Sequence, residues 1–408
     1  MRSPSLTAAA LLGTAVLAAG CASTVSGTAS GVPELPPAAA PESAGLPVVD
    51  LDTTATDELR VADVAARPDG SFVVLLIADS GSEAGSSLVE VVPGDGALTI
   101  GATTAAPTFD YPSDVLVAPD GTVVVLATVP PEAGDPSGDG AEGSDLVVAV
   151  PGPDGQVELR PVAADPELGS PESGDGVLSA DGATLYASLR WTVDGRTVSR
   201  LAAISVATGA VTASAPLGVD SPGEVVAYRV ALRPDGGVAA LVTADLDAAG
   251  DVQGTLIAEF DAQLRPVRPP VELAGGDEST GYTLTVRPDG TVVVSLTTPD
   301  APDESWLVTV RGDLVQPAAQ LPGVALDLAV APDGQQVYAS YTRSVDLVES
   351  GATLATVDLV GGELVDELIL CPTGVGWAIA TAADGRSVLA TTSCREDGAD
   401  EDPAFLVV

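Results

Sequence analysis

The tripeptide Pro-Asp-Gly recurs along this chain, each time between two short apolar runs, as in VRPDGTVVVSL at 286–296. Pro presets the first torsion of a tight turn, Asp bonds its own backbone, and Gly accepts the positive φ that closes the turn. The flanking runs predict β-strands. Copies stand at Pro68-Asp69-Gly70, Pro119-Asp120-Gly121, Pro234-Asp235-Gly236, Pro288-Asp289-Gly290 and Pro332-Asp333-Gly334, with variants at Ala180-Asp181-Gly182 and Ala383-Asp384-Gly385.

The spacing of these seven turns sets the size of the repeat. Their Asp residues, at 69, 120, 181, 235, 289, 333 and 384, lie 51, 61, 54, 54, 44 and 51 residues apart, which suits four strands per unit. We therefore predict an all-β fold over 46–408, a seven-bladed β-propeller with four-stranded antiparallel blades. A string of independent small sandwiches is the alternative, but one such unit cannot bury its own sheet faces.

The repeat resembles that of YVTN-type and lactonase-like seven-bladed propellers. Those repeats carry an apolar strand, a Ser-Pro-Asp-Gly-like turn and a strand containing Tyr-Val. The nearest copies here are AVAPDGQQVYASY (329–341) and LSADGATLYASL (178–189), although the chain has no Asn to end the motif. The resemblance covers almost all of 46–408 and implies the fold. It implies no particular function, because propellers of this kind have many unrelated tasks.

The two ends of the chain predict how the ring closes. Only AFLVV (404–408) follows the seventh hairpin, so the last blade lacks one strand. LPVVDLD (46–52) is the expected donor of that strand. Cys371 and Cys394 stand 12 residues before and 11 residues after Ala383, which predicts a disulfide across the last blade in an oxidising compartment. A redox-active or metal-binding pair is the alternative, without CxxC spacing to support it.

The first residues predict export and lipid attachment. Arg2 precedes an apolar stretch that is too short to span a bilayer. LAAGC, residues 17–21, resembles a bacterial lipobox, in which the Cys is acylated and becomes the mature N-terminus. We expect a lipoprotein signal peptide over 1–20, and a lipidated Cys21 with a flexible tether over 21–45. The protein would then be anchored by lipid on the extracytoplasmic face of the bacterial cell membrane. An ordinary secretory signal with a chance Cys is the alternative.

Charge and missing residue types exclude several functions. The chain has 58 acidic and 16 basic residues, every basic one an Arg, and a formal net charge of -42. Nucleic acid is an improbable partner, because its binding depends on Lys and Arg neutralising phosphates. The absence of Lys and His removes Schiff-base, P-loop and imidazole chemistry. The sequence contains no G-x-S-x-G, HExxH or phosphate-binding glycine loop.

One aligned position of the repeat offers a candidate site at the mouth of the central channel. It stands five residues before the first residue of each turn and is occupied by Asp63, Asp114, Asp175, Arg229, Thr283, Asp327 and Ala378. Like charges at the mouth would raise one another's pKa and attract Ca²⁺ or a basic side chain. We take the four Asp residues and Arg229 as candidate binding residues. The alternative is that each Asp caps a loop or bonds its own backbone.

Aromatic residues lie near the same position, and they suit recognition of a peptide or a sugar, or else cover blade edges. They are Tyr111, Trp191, Tyr228, Tyr282 and Trp377. We predict a non-catalytic binding or scaffold module for a protein, peptide or carbohydrate, with no cofactor expected beyond Ca²⁺. The alternative function is a hydrolase or lyase that uses the mouth carboxylates on carbohydrate or lactone substrates.

Overall fold

Every regular element in the described part of the chain is a β-strand. The computed structural model describes residues 48–50, 59–78, 85–94, 97–129, 145–152, 154–193, 195–246, 253–273, 280–298, 301–343, 351–371, 374–385, 387–394 and 402–407. These residues form 28 strands, which confirms the all-β prediction for them. None of the described segments makes a helix that is long and apolar enough to cross a membrane.

Five of the sheets have four antiparallel strands each. One joins β1 (Val48–Asp50) to β26 (Gly374–Thr381), β27 (Val388–Cys394) and β28 (Asp402–Val407). The others are β2 (Leu59–Ala66), β3 (Phe72–Ala78), β4 (Ser87–Gly94) and β5 (Ala97–Ala105); β6 (Asp110–Val117), β7 (Val123–Val129), β8 (Asp145–Pro151) and β9 (Val157–Pro161); β18 (Thr280–Val286), β19 (Val292–Thr298), β20 (Ala301–Arg311) and β21 (Leu314–Leu321); and β22 (Val324–Val330), β23 (Gln336–Thr342), β24 (Ala352–Asp358) and β25 (Glu363–Cys371).

A sixth sheet has eight strands, so the expectation of seven separate four-stranded sheets is wrong here. Its strands are β10 (Ser173–Leu178), β11 (Thr184–Val193), β12 (Arg196–Ser205), β13 (Val211–Pro216), β14 (Val225–Leu232), β15 (Val238–Asp245), β16 (Gln253–Phe260) and β17 (Val271–Glu272). A parallel bridge between Val198 and Val225 joins the two halves. Glu224 lies at this junction: its carboxylate accepts from Thr197 N at 2.8 Å, while its carbonyl accepts from Asp245 N.

The first strands of the successive groups contact one another in a closed circuit that resembles a propeller. The order is β2, β6, β10, β14, β18, β22 and β26, and then back to β2. The ring explains why second strands are continuous apolar runs. In β7, VVVLATV, the first six residues are all buried, because neighbouring sheets cover both of its faces. The outer strand β9 is instead exposed at three of its five residues and half-buried at the other two.

The recurring turn folds as its residue types predict. In the first copy, Gly70 N donates to Arg67 O and the Asp69 carboxylate accepts from Ser71 N at 3.0 Å. Gly70 has a φ of 87°, a value that glycine adopts without the steric cost of a side chain. These turns place the second strand directly beside the first, and thereby fix the position of the residues that precede each turn.

The N-terminal strand pairs with the last sheet, as the sequence predicts. Val49 of β1 lies opposite Phe405 of β28, in antiparallel register. The predicted Cys371–Cys394 bond would join this sheet to the neighbouring sheet, which contains β22 to β25. Cys371 ends β25 and is buried, whereas the Cys394 side chain lies outside the described residues, as do the signal peptide, the tether and Cys21. The disulfide and the lipid anchor therefore remain predictions.

Candidate functional site

A cavity of about 470 Å³ opens where the first strands meet, and it gathers all five candidate residues. Its volume lies within the range of small-molecule sites. The walls come mostly from first strands, with further residues from second and third strands of the eight-stranded sheet. They are Ala62, Asp63, Asp114, Gly174, Asp175, Arg190, Tyr228, Arg229, Thr243, Gln253, Thr280, Gly281, Tyr282 and Asp327.

A β-bulge at the aligned position shapes this cavity. In six of the seven first strands the pairing with the second strand shifts register at or just before that position. A bulge leaves the extra residue out of the ladder and redirects its side chain. Ala62, Tyr228 and Tyr282 are residues that the register skips, and all three line the cavity.

Four Asp side chains at this position link neighbouring sheets. Each Oδ2 accepts a hydrogen bond from the backbone N–H that follows the aligned residue of the next first strand. The pairs are Asp63 with Val115 N at 2.8 Å, Asp114 with Gly176 N at 2.9 Å, Asp175 with Val230 N at 2.6 Å, and Asp327 with Ile379 N at 2.9 Å. The alternative that each Asp caps a loop or bonds its own backbone does not account for these four bonds, which run to a neighbouring sheet.

Two of these carboxylates also bond their own strand, at the points where the preceding sheet supplies no Asp. Asp327 follows Thr283 in the series, and its Oδ1 accepts from its own neighbour Leu328 N at 2.9 Å. Asp63 follows Ala378 around the ring and bonds Val64 N in the same way. In these two strands the N–H after the aligned position is thus bonded although the previous sheet contributes no acid. Thr283 Oγ1 lies 3.3 Å from Asp327 Oδ1.

Arg229 is the cation of the cluster. Its Nη1 donates to Asp175 Oδ1 at 2.8 Å and lies 4.0 Å from Asp114 Oδ1. The side chain keeps 39% of its surface exposed, so the guanidinium faces the cavity. Burial lowers the pKa of Arg229, but the charges of Asp175, Asp327 and Asp114 outweigh it and raise the pKa above its usual value. Arg229 therefore stays protonated at every physiological pH.

The carboxylates carry raised pKa values. Burial and the charge of Asp327 raise the pKa of Asp63 to about 7, against the opposing hydrogen bond from Val115. Burial, followed by the charges of Asp175 and Asp63, holds the pKa of Asp114 well above its ordinary value. Burial also raises the pKa of Asp175 and Asp327, despite the nearby Arg229. One guanidinium thus compensates only part of four buried carboxylates.

The aromatic residues separate into different roles. Tyr228 and Tyr282 line the cavity, with 44% and 37% of their surface exposed. Trp191 is buried, and its Nε1 donates to Gly169 O at 3.0 Å. It belongs to an apolar cluster between sheets, so it is not a mouth residue. Trp377 is not among the residues that line the cavity, and the side chain of Tyr111 lies outside the described residues.

Several cavity residues could not be found from the aligned position. Arg190 comes from β11, Thr243 from β15 and Gln253 from β16. The Arg190 guanidinium lies over the Tyr228 ring, 5.9 Å from its centroid, within the range of a cation–π interaction. These residues stand on second and third strands, so counting back from each turn along the first strand could not find them.

A metal site gains no support from the geometry. Across the described ranges, no three Asp, Glu, His or Cys side chains are grouped in a way that could hold a metal ion. Ca²⁺ needs six to eight oxygen ligands, whereas Oδ2 of each cavity Asp already accepts a backbone N–H. Arg229 supplies positive charge where a cation was expected.

Comparison with known proteins places the fold but not the activity. The sequence matches no protein-family profile, and no curated protein is significantly similar to it. The hydrazine synthase of Kuenenia stuttgartiensis is similar in structure, with a TM-score of 0.56 and 17% identity over 84% of this chain and 95% of that chain. A protein of unknown function from Dyadobacter fermentans has a TM-score of 0.50 and 13% identity over 90% and 98% of the two chains. These similarities identify a propeller-like fold alone.

The link between sheets predicts the effect of removing Asp175. We expect Asp175→Ala to lower the free energy of unfolding by about 2 kcal/mol, because Val230 N–H loses its acceptor inside the protein. Asp175→Asn keeps an oxygen for that N–H and should lose less. Urea unfolding of the three proteins measures the difference. A loss below about 0.5 kcal/mol for Asp175→Ala would place it among ordinary surface changes and contradict the link.

The raised pKa of Asp63 predicts how stability changes with pH. The folded pKa of about 7 exceeds the ordinary Asp pKa of 3.8, so between these values the folded state holds more protons than the unfolded state. The Asp63 contribution to stability is therefore complete at low pH and is lost as pH rises towards 7. Asp63→Asn cannot ionise, and its free energy of unfolding should fall less between pH 5 and pH 8.

Urea titrations at pH 5, 6, 7 and 8 test this change of slope. Asp120→Asn is the matched control, because the Asp120 carboxylate is exposed at a turn and hydrogen bonds from Thr122 lower its pKa. Its stability profile should parallel that of the wild type across this range. An Asp63→Asn profile as steep as the wild type would show that Asp63 does not carry the proton.

Proposed function

We propose that the ring has seven blades, with the eight-stranded sheet counting as two. The closed circuit of seven first strands supports this count. So do the seven apolar clusters, most of which combine residues from two neighbouring groups of strands. A single parallel bridge joins the two halves of the large sheet, which is a minor link beside the antiparallel ladders within each half. The YVTN-type and lactonase-like resemblance agrees with this arrangement.

The chain acts, in this proposal, as a non-catalytic binding module whose ligand occupies the cavity. The observation that carries it is the open cavity of about 470 Å³ with two exposed Tyr rings on its wall. Exposed aromatic rings beside convergent polar groups are typical of binding sites. Each of the four Asp residues uses one oxygen to bind a backbone N–H of a neighbouring strand. This structural role explains their presence without a catalytic function.

A lipid anchor and an extracytoplasmic location complete the proposal. The lipobox-like LAAGC at 17–21 supports acylation of Cys21, and a single lipid with a flexible tether would hold the ring near the bacterial membrane. We also propose a disulfide between Cys371 and Cys394. Gly374, three residues after Cys371, is the register partner of Cys394, so Cys371 at the end of β25 and Cys394 at the end of β27 would be close to each other across two adjacent sheets.

A cavity-filling variant tests the binding function. We expect Ala62→Tyr to fill the space without removing a hydrogen bond, since Ala62 lines the wall at a position that the register skips. A panel of saccharides, peptides and amines is then screened by thermal unfolding. A ligand at 100 times its Kd should stabilise the wild type by about 2.7 kcal/mol and leave Ala62→Tyr unchanged.

Ala183→Tyr is the control, because Ala183 is exposed beside a turn at the other end of its strand pair. It should respond to ligand as the wild type does. The proposal is overturned if no member of the panel distinguishes the wild type from Ala62→Tyr.

The same screen tests the alternative function, that the protein is a hydrolase or lyase. The pKa of Asp63 near 7 is the observation that favours it, because a carboxylic acid that stays protonated near neutral pH can act as a general acid. Mass spectrometry of each ligand after incubation separates the two functions. Ligand recovered unchanged supports a binding module. Cleaved glycosides or lactones, with cleavage lost in Asp63→Asn, would replace it with catalysis.

Cell fractionation tests the anchor. We expect the wild type in the membrane fraction and Cys21→Ser in the soluble fraction or the medium, because the thiol that would be acylated is gone. Ser26→Ala changes the tether alone and should fractionate as the wild type. Membrane association of Cys21→Ser after a high-salt wash would exclude lipid attachment at this residue.

A further inference from the structure

The cavity wall presents hydrogen-bond donors and acceptors of both charges. Asp carboxylates accept, Arg guanidinium groups donate, and Gln and Thr side chains do both. The donors and mixed groups on the wall are Arg190, Arg229, Thr243, Gln253 and Thr280, and the acceptors are Asp63, Asp114, Asp175 and Asp327. A ligand that satisfies this wall must itself donate and accept at closely spaced atoms.

The mixture disfavours ligands with a strong charge of one sign. An anion would meet four carboxylates, two of which, Asp114 and Asp175, are more than nine-tenths buried. A cation would meet the guanidinium of Arg229, which is held permanently protonated by its neighbours. Adjacent hydroxyl groups avoid both conflicts, since one can donate to a carboxylate while the next accepts from a guanidinium.

Two Tyr rings provide an apolar surface within this polar wall. Tyr228 and Tyr282 occupy corresponding bulge positions on the neighbouring strands β14 and β18, which contact each other. The Arg190 guanidinium covers Tyr228 from one side, while both rings retain exposed surface. A sugar ring has a C–H face that packs against an aromatic ring and a hydroxyl rim that needs hydrogen bonds. The Tyr rings of the wall match the C–H face of a sugar, and the polar side chains of the wall match its hydroxyl rim.

We propose that the cavity binds a neutral saccharide. This inference rests on the proposed binding function and adds the chemical class of the ligand. Tyr228 and Tyr282 pack against the C–H faces, Gln253 and Arg190 bond hydroxyl groups at the rim, and Arg229 bonds a hydroxyl group deeper in the cavity. The binding residues are thus distinct from the Oδ2 atoms that hold the sheets together.

Isothermal titration calorimetry of the purified full chain tests the ligand class. The probes are neutral disaccharides of gluco, galacto and manno configuration, the amino sugar glucosamine, glucuronic acid and a short Arg-rich peptide. We expect binding of at least one neutral disaccharide, with a Kd that changes less than twofold between 0.05 and 0.5 M NaCl, because uncharged ligands are not screened by salt. The charged probes should bind at least tenfold more weakly.

Variants locate the binding. Tyr282→Ala should weaken the disaccharide at least tenfold, and Gln253→Ala several-fold. Leu314→Ala is the matched control, since Leu314 is an exposed apolar residue on the outer strand β21 and should leave the Kd unchanged. Thermal unfolding confirms that each variant is folded. A disaccharide that binds Tyr282→Ala and Ala62→Tyr as tightly as the wild type would overturn the inference.

The remaining outcomes separate this inference from the function on which it rests. Binding of the peptide or of glucosamine, lost in Ala62→Tyr and accompanied by no disaccharide binding, would overturn the saccharide and keep the binding module. Absence of any binding among all probes would overturn the inference as well, and the broader thermal screen then decides the fate of the binding function.

Discussion

The backbone N–H that follows each first-strand bulge is the constraint on which the ring depends. A bulge takes residues out of the ladder, and an N–H left unbonded inside the protein costs about 1 to 3 kcal/mol. The solution here is an Asp from the preceding sheet, as in Asp63 with Val115 N. This hydrogen bond gives the N–H an acceptor and also fixes the angle between the two sheets. Apolar packing between valine-rich faces cannot fix that angle, because the hydrophobic effect is non-directional.

The series of links is interrupted where the candidate site is richest. Arg229 and Thr283 follow one another at the aligned position and cannot repeat the Asp bond. The residues just before them are Tyr228 and Tyr282, the two exposed rings of the cavity. On the other side of the ring, the corresponding residue beside Asp63 is the small Ala62. Two of the three first strands that lack the structural acid therefore carry the exposed Tyr rings of the cavity.

Periodicity explains how much of this arrangement the sequence reveals. The turn spacing gave four strands per unit, and counting back five residues from each turn brought Asp63, Asp175 and Arg229 into one cavity, because equivalent positions of a ring face the same axis. Spacing says nothing about which atoms an Asp bonds, so a link between sheets was not foreseen. It also could not show that a bridge between Val198 and Val225 would join two units into one sheet, or that Gln253 would reach the wall.

The two oxygens of a single carboxylate can each have a different partner within the protein, and this limits the atoms that a ligand could bind. Oδ2 of Asp175 holds Val230 N, and Oδ1 holds Arg229, so this residue orients the guanidinium rather than binding a ligand directly. Arg229 points its exposed surface into the cavity as a result. Because Asp175 belongs to the preceding sheet, the position of Arg229 depends on the angle between two sheets. A ligand that contacted Arg229, as proposed, would therefore be coupled to the same hydrogen bonds that hold the ring together.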